Sequence, residues 1–167
     1  MPEPVHIAAI DAGSNAVRLS VARAYSALDI EPLYSERYSL RLGESVFLRH
    51  RFTDDIFKKG VKAFRHFKEV MDEYGVTRYR AVATSASREA RNRKAFTREI
   101  KRKCGIALEV IGTHEESRLG REAAIAAMGP ESPPRCIIDS AAAASKSIFC
   151  AIIPSSKTRR FPSAPCG

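Results

Sequence analysis

At 167 residues, with 44% hydrophobic and 28% charged residues, the chain has the size and balance of one soluble domain with a real core. No apolar run nears the length of a membrane span, and the opening residues, with Pro2, Glu3 and Pro4, do not read as a signal peptide. The net charge of +9 suits a polyanionic ligand such as nucleic acid or chained phosphate, or simply a solvated basic surface.

Residues 6–10 form a short apolar run ending in Asp11, and 16–24 form a second apolar segment. The "DAGSN" between them is a turn by composition. Residues 33–42 alternate loosely and read as a third strand, which makes an antiparallel meander of the first three. Thr53 is an N-cap candidate, with Asp54 and Asp55 in the first turn, where a helix dipole favours anions. Phe57, Val61, Phe64, Met71 and Tyr74 follow at helical spacing, and Gly75 supplies the stop. A strand over 79–84, a helix over 92–104 that buries Phe96 and Ile100, a strand over 107–111 and a helix over 114–128 come next. "RCIID" is the last strand of the series. The order βββαβαβαβ predicts an α/β fold, a mixed five-stranded sheet covered by helices.

Three stretches carry residue types suited to phosphate chemistry. In "IDAGSNAVR" a strand delivers Asp11 to a turn containing Gly13, Ser14 and Asn15, with Arg18 beyond. Together they offer backbone and side-chain donors and a bidentate cation. In "ATSASREARN" the hydroxyls of Thr84, Ser85 and Ser87 follow a strand and precede Arg88, where an α/β sheet binds its ligands. In "VIGTHEESRLGREAA" two adjacent carboxylates, Glu115 and Glu116, open a helix. They point about 100° apart, so one can face a cleft as a base for activating water while the other is solvated. Singly, these stretches also suit a polar hairpin tip, a capped helix start and an acidic first turn.

Their order and spacing together resemble the exopolyphosphatase/guanosine pentaphosphate phosphohydrolase family. The blocks that carry the resemblance are Asp11 to Arg18, "RLGESV" at 41–46, "ATSASREARN" at 83–92 and "VIGTHEESRL" at 110–119. The resemblance implies a ribonuclease-H-like half-domain of the actin and sugar-kinase superfamily. It also implies release of the terminal phosphate of polyphosphate or guanosine pentaphosphate by metal-assisted attack of water. Carried over by motif, Glu116 is the catalytic carboxylate. Asp11, Gly13, Ser14, Asn15, Arg18 and Arg88 bind phosphate, joined by the hydroxyls of Thr84 and Ser85. Asp11 and Asp139 hold a divalent cation, with Mg2+ the usual ion where carboxylates meet phosphates.

One block departs from the pattern. The family's second phosphate loop is D-x-G-G-G-S-x-E, whereas Asp139 is followed by Ser-Ala-Ala-Ala-Ala-Ser-Lys. Alanine is strained where glycine takes φ > 0, and Lys146 cannot ligate a cation. A one-nucleotide shift of frame after Asp139 turns a suitable set of codons for this run into Leu-Gly-Gly-Gly-Ser-Leu-Glu. All 19 acidic residues lie at or before Asp139, and 140–167 contribute +4 of the +9. We therefore expect an N-terminal phosphate-binding half-domain over 1–139 and a poorly ordered, out-of-frame tail over 140–167. The chain itself is then expected to show little or no turnover. The alternative is a non-catalytic phosphate- or nucleotide-binding half-domain.

Cys104, Cys136, Cys150 and Cys166 lack metal-ligand spacing and suit reduced thiols in a cytoplasm. Nucleic acid is a weaker candidate partner, since no Trp and no interleaving of aromatic and basic residues offers a stacking platform. An uncovered half-domain face would favour self-association.

Overall fold

The computed structural model describes residues 3–27 and 29–128. Strands β1 (Val5–Ala12), β2 (Val17–Ala24) and β3 (Ile30–Tyr38) are followed by helices α1 (Leu42–Arg49) and α2 (Asp54–Glu73). Strand β4 (Arg78–Ala83), helices α3 (Ser85–Glu89) and α4 (Arg93–Cys104), strand β5 (Leu108–Val110) and helix α5 (Thr113–Met128) complete the order. Residues through Glu116 form one compact unit, and α5 from Ser117 onward belongs to a second. The strand expected at "RCIID", Asp139 and the segment 140–167 lie outside the described residues.

The five strands form one mixed sheet in the order β3-β2-β1-β4-β5. The meander expected from the first three strands is present, with β2 antiparallel to both β1 and β3. Crossovers through helices make β4 parallel to β1 and β5 parallel to β4. Alternation in the first two strands puts Ala8, Ile10, Ala12, Val17, Leu19 and Val21 into the core, while Asp11 and Arg18 stay on the other face.

Helix α2 begins as its sequence requires. The Thr53 hydroxyl accepts the Ile56 N–H, and Asp54 and Asp55 occupy the first turn. Its apolar stripe buries Ile56, Val61, Phe64, Phe67, Val70 and Met71. Helix α4 packs close because Gly60 leaves room: a Cβ there would stand 2.7 Å from the Phe96 ring. That ring is itself held between Phe52, centroids 4.8 Å apart, and Phe57, 5.3 Å apart.

Two helices were not legible as elements in the sequence. The strand expected over 33–42 ends at Tyr38, and the chain turns into α1 through Arg41, which adopts φ +51°. Leu40, Leu42 and Val46 are all buried, and Leu42, the last residue of the expected strand, is the first residue of α1. The five-residue α3 lies in the segment that carries the hydroxyls of Thr84, Ser85 and Ser87. On α5, Leu119 and Ala124 are half-buried and Ala123 and Ala127 exposed.

Candidate active site

The strand order brings the three motifs to one edge of the sheet. Strands β1, β4 and β5 are parallel neighbours, and their last residues pair across as Ala12 with Ala83 and Ala83 with Val110. The chain leaving each strand is then hydrogen-bonded to its neighbour. Thr84 N–H donates to the Ala12 carbonyl at 3.2 Å, and Ile111 N–H donates to the Ala83 carbonyl at 3.1 Å. The 13–16 loop, the start of α3 and the start of α5 therefore gather at the carboxyl ends of adjacent strands. That is where open α/β sheets bind ligands.

Three contacts tie the loops together. Ser14 Oγ and Ser85 Oγ lie 2.6 Å apart. Gly43 N–H donates to the Ser14 carbonyl at 2.7 Å, and Arg41 N–H donates to the Asn15 carbonyl at 2.8 Å, so α1 braces the loop from its far side. Arg88 donates to Glu116 Oε2 at 2.7 Å and to the Ile111 carbonyl at 3.1 Å.

The adjacent glutamates separate as their positions on the helix demand. Glu115 pairs with Arg80 on the sheet at 3.2 Å, and Glu116 pairs with Arg88 at 2.7 Å. Arg80, which also holds Glu109 at 3.1 Å, has no counterpart among the expectations from sequence. Register alone connects it to β5, and no motif marks it.

Asp11 lies opposite Arg18 on β2 and Val82 on β4. It retains solvent-accessible surface but sits among the strand ends, where surrounding protein displaces much of its water. Desolvation is the main cause that raises its carboxyl above the ordinary value of 3.8. Arg18 opposes the shift, and the negative charge of Glu116 adds to it. A raised carboxylate in the folded state means that ionised Asp11 opposes folding at neutral pH; the penalty declines as pH falls through the raised folded-state value and is gone below the ordinary one. Asp11→Asn is accordingly expected to raise the unfolding midpoint slightly at neutral pH and to leave it unchanged below pH 3.8. Denaturant titrations at both pH values check this; a gain of equal size at both would mean that the aspartate charge is not the cause.

The 13–16 turn differs from expectation in one respect. The Gly13 N–H closes the turn on the Ala16 carbonyl at 3.1 Å, so it is committed to the protein rather than turned outward. Gly13 does not adopt positive φ, and a Cβ there would meet only Ala16 O, at an ordinary 3.4 Å. The fold of the described residues does not need glycine at this position.

Thr84 is buried and Ser85 half-buried beside Ser14. Ser87 is turned inward, 1% exposed, with no partner for its hydroxyl among the described residues. It is no donor to a ligand in this edge. Asn92 closes its motif in a role the sequence did not suggest. Its side chain accepts from Phe52 N–H and donates to the Phe52 carbonyl, both at 2.9 Å.

A groove of about 640 Å³ opens nearby, lined among others by Arg37, Arg41, Glu44, Thr53, Asp55 and Lys59. Asp11, Arg88 and Glu116 are not in its lining. Two of its cations, Arg41 and Lys59, pair with Glu44 and Asp55.

A mixed sheet in the order 3-2-1-4-5, with helices and a ligand edge at its parallel strands, defines the ribonuclease-H-like fold of the actin-like ATPase superfamily. Within it the chain belongs to the Ppx/GppA phosphatase family, whose model matches residues 20–167. It is 30% identical over 141 residues to exopolyphosphatase 2 of Mycobacterium tuberculosis, covering 80% of this chain and 44% of that protein. A Ppx/GppA family member from Aquifex aeolicus superposes with a TM-score of 0.71 at 30% identity, over 77% of this chain and 42% of that one. An exopolyphosphatase of Cytophaga hutchinsonii superposes with a TM-score of 0.65 at 25% identity, over 68% and 36%. The chain thus spans less than half the length of each of these relatives. Among the described residues, no helix is long and apolar enough to cross a membrane.

Proposed function

We propose that this edge binds the terminal phosphate of inorganic polyphosphate or guanosine pentaphosphate and supplies the carboxylate for its hydrolysis. The observation that carries the reading is the Arg88–Glu116 pair at 2.7 Å, beside Asp11 and the joined Ser14 and Ser85 hydroxyls. A phosphate there would meet the Arg88 and Arg18 guanidiniums, the two serine hydroxyls, Thr84, and the Ser14 and Asn15 amides.

Arrival of phosphate gives Arg88 a second anion to hold. As its guanidinium turns to the phosphate oxygens, the Glu116 carboxylate is released toward a water. Glu116 then takes a proton as the water oxygen bonds to the terminal phosphorus. The bond from phosphorus to the bridging oxygen breaks, and the shortened chain leaves with that oxygen. Asp11, poorly solvated and near a second carboxylate, has the character of a cation ligand, with Asp139 as the expected second one. No group of three or more metal-binding side chains gathers among the described residues. An ion such as Mg2+ is commonly held by one or two carboxylates with phosphate and water. When bound, the ion would neutralise charge on the transferring group.

The glycine-free run from Ser140 to Lys146 favours phosphate binding without efficient turnover. The direct test is therefore binding: calorimetry with tripolyphosphate and Mg2+, comparing the chain with Gly13→Ala. The variant is expected to unfold at the same denaturant concentration and to bind roughly tenfold more weakly, because its methyl stands where the ligand approaches. Absence of binding by the unsubstituted chain, or equal binding by both, would refute the site.

A further inference from the structure

We propose that Arg80 is a positioning residue for Glu116: by tying Glu115 to the sheet it fixes the first turn of α5. The neighbouring carboxylate is thereby held on Arg88 until phosphate arrives, and beside the attacking water afterwards. The proposal rests on the phosphate-site reading above and deepens it with a residue that lies in none of the motifs.

Alternation along β4 turns Ala81 and Ala83 into the core, so Arg80 and Val82 face the other side of the sheet. Asp11 and Glu109 both pair with Val82 in the parallel ladders and share that side with it. The first turn of α5 meets this side through both of its glutamates. Glu115 reaches Arg80 at 3.2 Å, and the charge of Glu116 is felt at Asp11.

Arg80 is fitted to this task by shape. Its Nε and Nη2 donate to Glu109 Oε2 at 3.4 and 3.1 Å, which aims Nη1 at Glu115 Oε1, 3.2 Å away. A planar guanidinium can serve two carboxylates along separate edges, whereas an ammonium has no fixed edges. Glu109 lies on β5 and Glu115 on α5, so the one side chain brackets the corner where the strand gives way to the helix. With side chains 47% and 32% exposed, the Arg80–Glu115 pair adds little to global stability. What it supplies is placement of the residue next to Glu115.

Placement has a consequence for binding. Glu116 occupies Arg88 at 2.7 Å, so it competes with an arriving phosphate for the same guanidinium. Loosening the turn weakens that competitor, while Arg88 keeps its bond to the Ile111 carbonyl at 3.1 Å. Removing the Arg80 cation is then expected to tighten the binding of an anion. Loss of its field alone would do the reverse.

Calorimetry with tripolyphosphate, at a salt concentration that screens distant charges, compares the unsubstituted chain with Arg80→Gln, Glu116→Gln and the two combined. Arg80→Gln is expected to bind about threefold more tightly than the unsubstituted chain. That gain should vanish on the Glu116→Gln background, where no carboxylate is left to place. A merely structural role would lower affinity on both backgrounds. Arg80→Lys, which keeps the charge but not the fork, should show only part of the gain. Urea unfolding of each variant verifies the fold. Should Arg80→Gln fail to fold, Glu115→Gln cuts the same bond from the helix side, and its gain too must shrink beside Glu116→Gln. Unchanged or weaker binding by Arg80→Gln, or a gain that persists without Glu116, overturns the positioning role. If the unsubstituted chain binds no tripolyphosphate, the phosphate-site reading itself fails and takes this proposal with it.

Discussion

Replacing Arg88 by glutamine is expected to weaken tripolyphosphate binding by roughly tenfold to a hundredfold, the worth of one charge-assisted hydrogen bond. Arg88 is the side chain through which two of the three loops meet: it rises from α3 and reaches both Glu116 and the Ile111 carbonyl. Glutamine keeps some hydrogen-bonding capacity and length but loses the charge. The Glu116 carboxylate would then lose its own cation and leave Arg18 as the remaining charge opposing the repulsion between Glu116 and Asp11. Two readouts separate binding from folding. The affinity loss should be largest without divalent cation, because a cation partly replaces the missing charge. The urea midpoint should fall only modestly, because the pair is partly solvated. Affinity within twofold of the unsubstituted chain would show that Arg88 does not touch the ligand.

Asn92→Ala is expected to cost about 2–4 kcal/mol of stability, the largest effect anticipated for a single polar side chain here. Its amide satisfies the N–H and C=O of Phe52 at once, each at 2.9 Å. Phe52 is 1% exposed and stacks on Phe96, so the two backbone groups stand beside a core that offers no other partner. Alanine leaves both unmet. Asn92→Asp keeps the acceptor and loses the donor, and it should fall between the two. Urea unfolding read by circular dichroism gives the order, and an alanine variant within about 0.5 kcal/mol of the original would show that the clasp is not structural.

Features with short-range causes were legible in the amino-acid order alone. Alternation set the faces of β1 and β2, and a threonine cap with two aspartates started α2. Consecutive helical positions forced Glu115 and Glu116 apart, as their different arginine partners bear out. Order and spacing of four motifs were enough to indicate the family. Helices α1 and α3 escaped notice because each is brief: buried Leu40, Leu42 and Val46 also suit a strand end, and five residues carry no period.

Which loops become neighbours depends instead on how the strands pair in the folded chain. Parallel pairing of β1 with β4 and of β4 with β5 joins Ser14 to Ser85 across 71 positions and Arg88 to Glu116 across 28. It also showed that Gly13 is unstrained, that Ser87 faces inward and that Asn92 serves Phe52 rather than a ligand. Residue identity states what a side chain can donate or accept. Which partner it meets depends on chain segments remote in sequence, and that is settled when the sheet closes its order and the core excludes water.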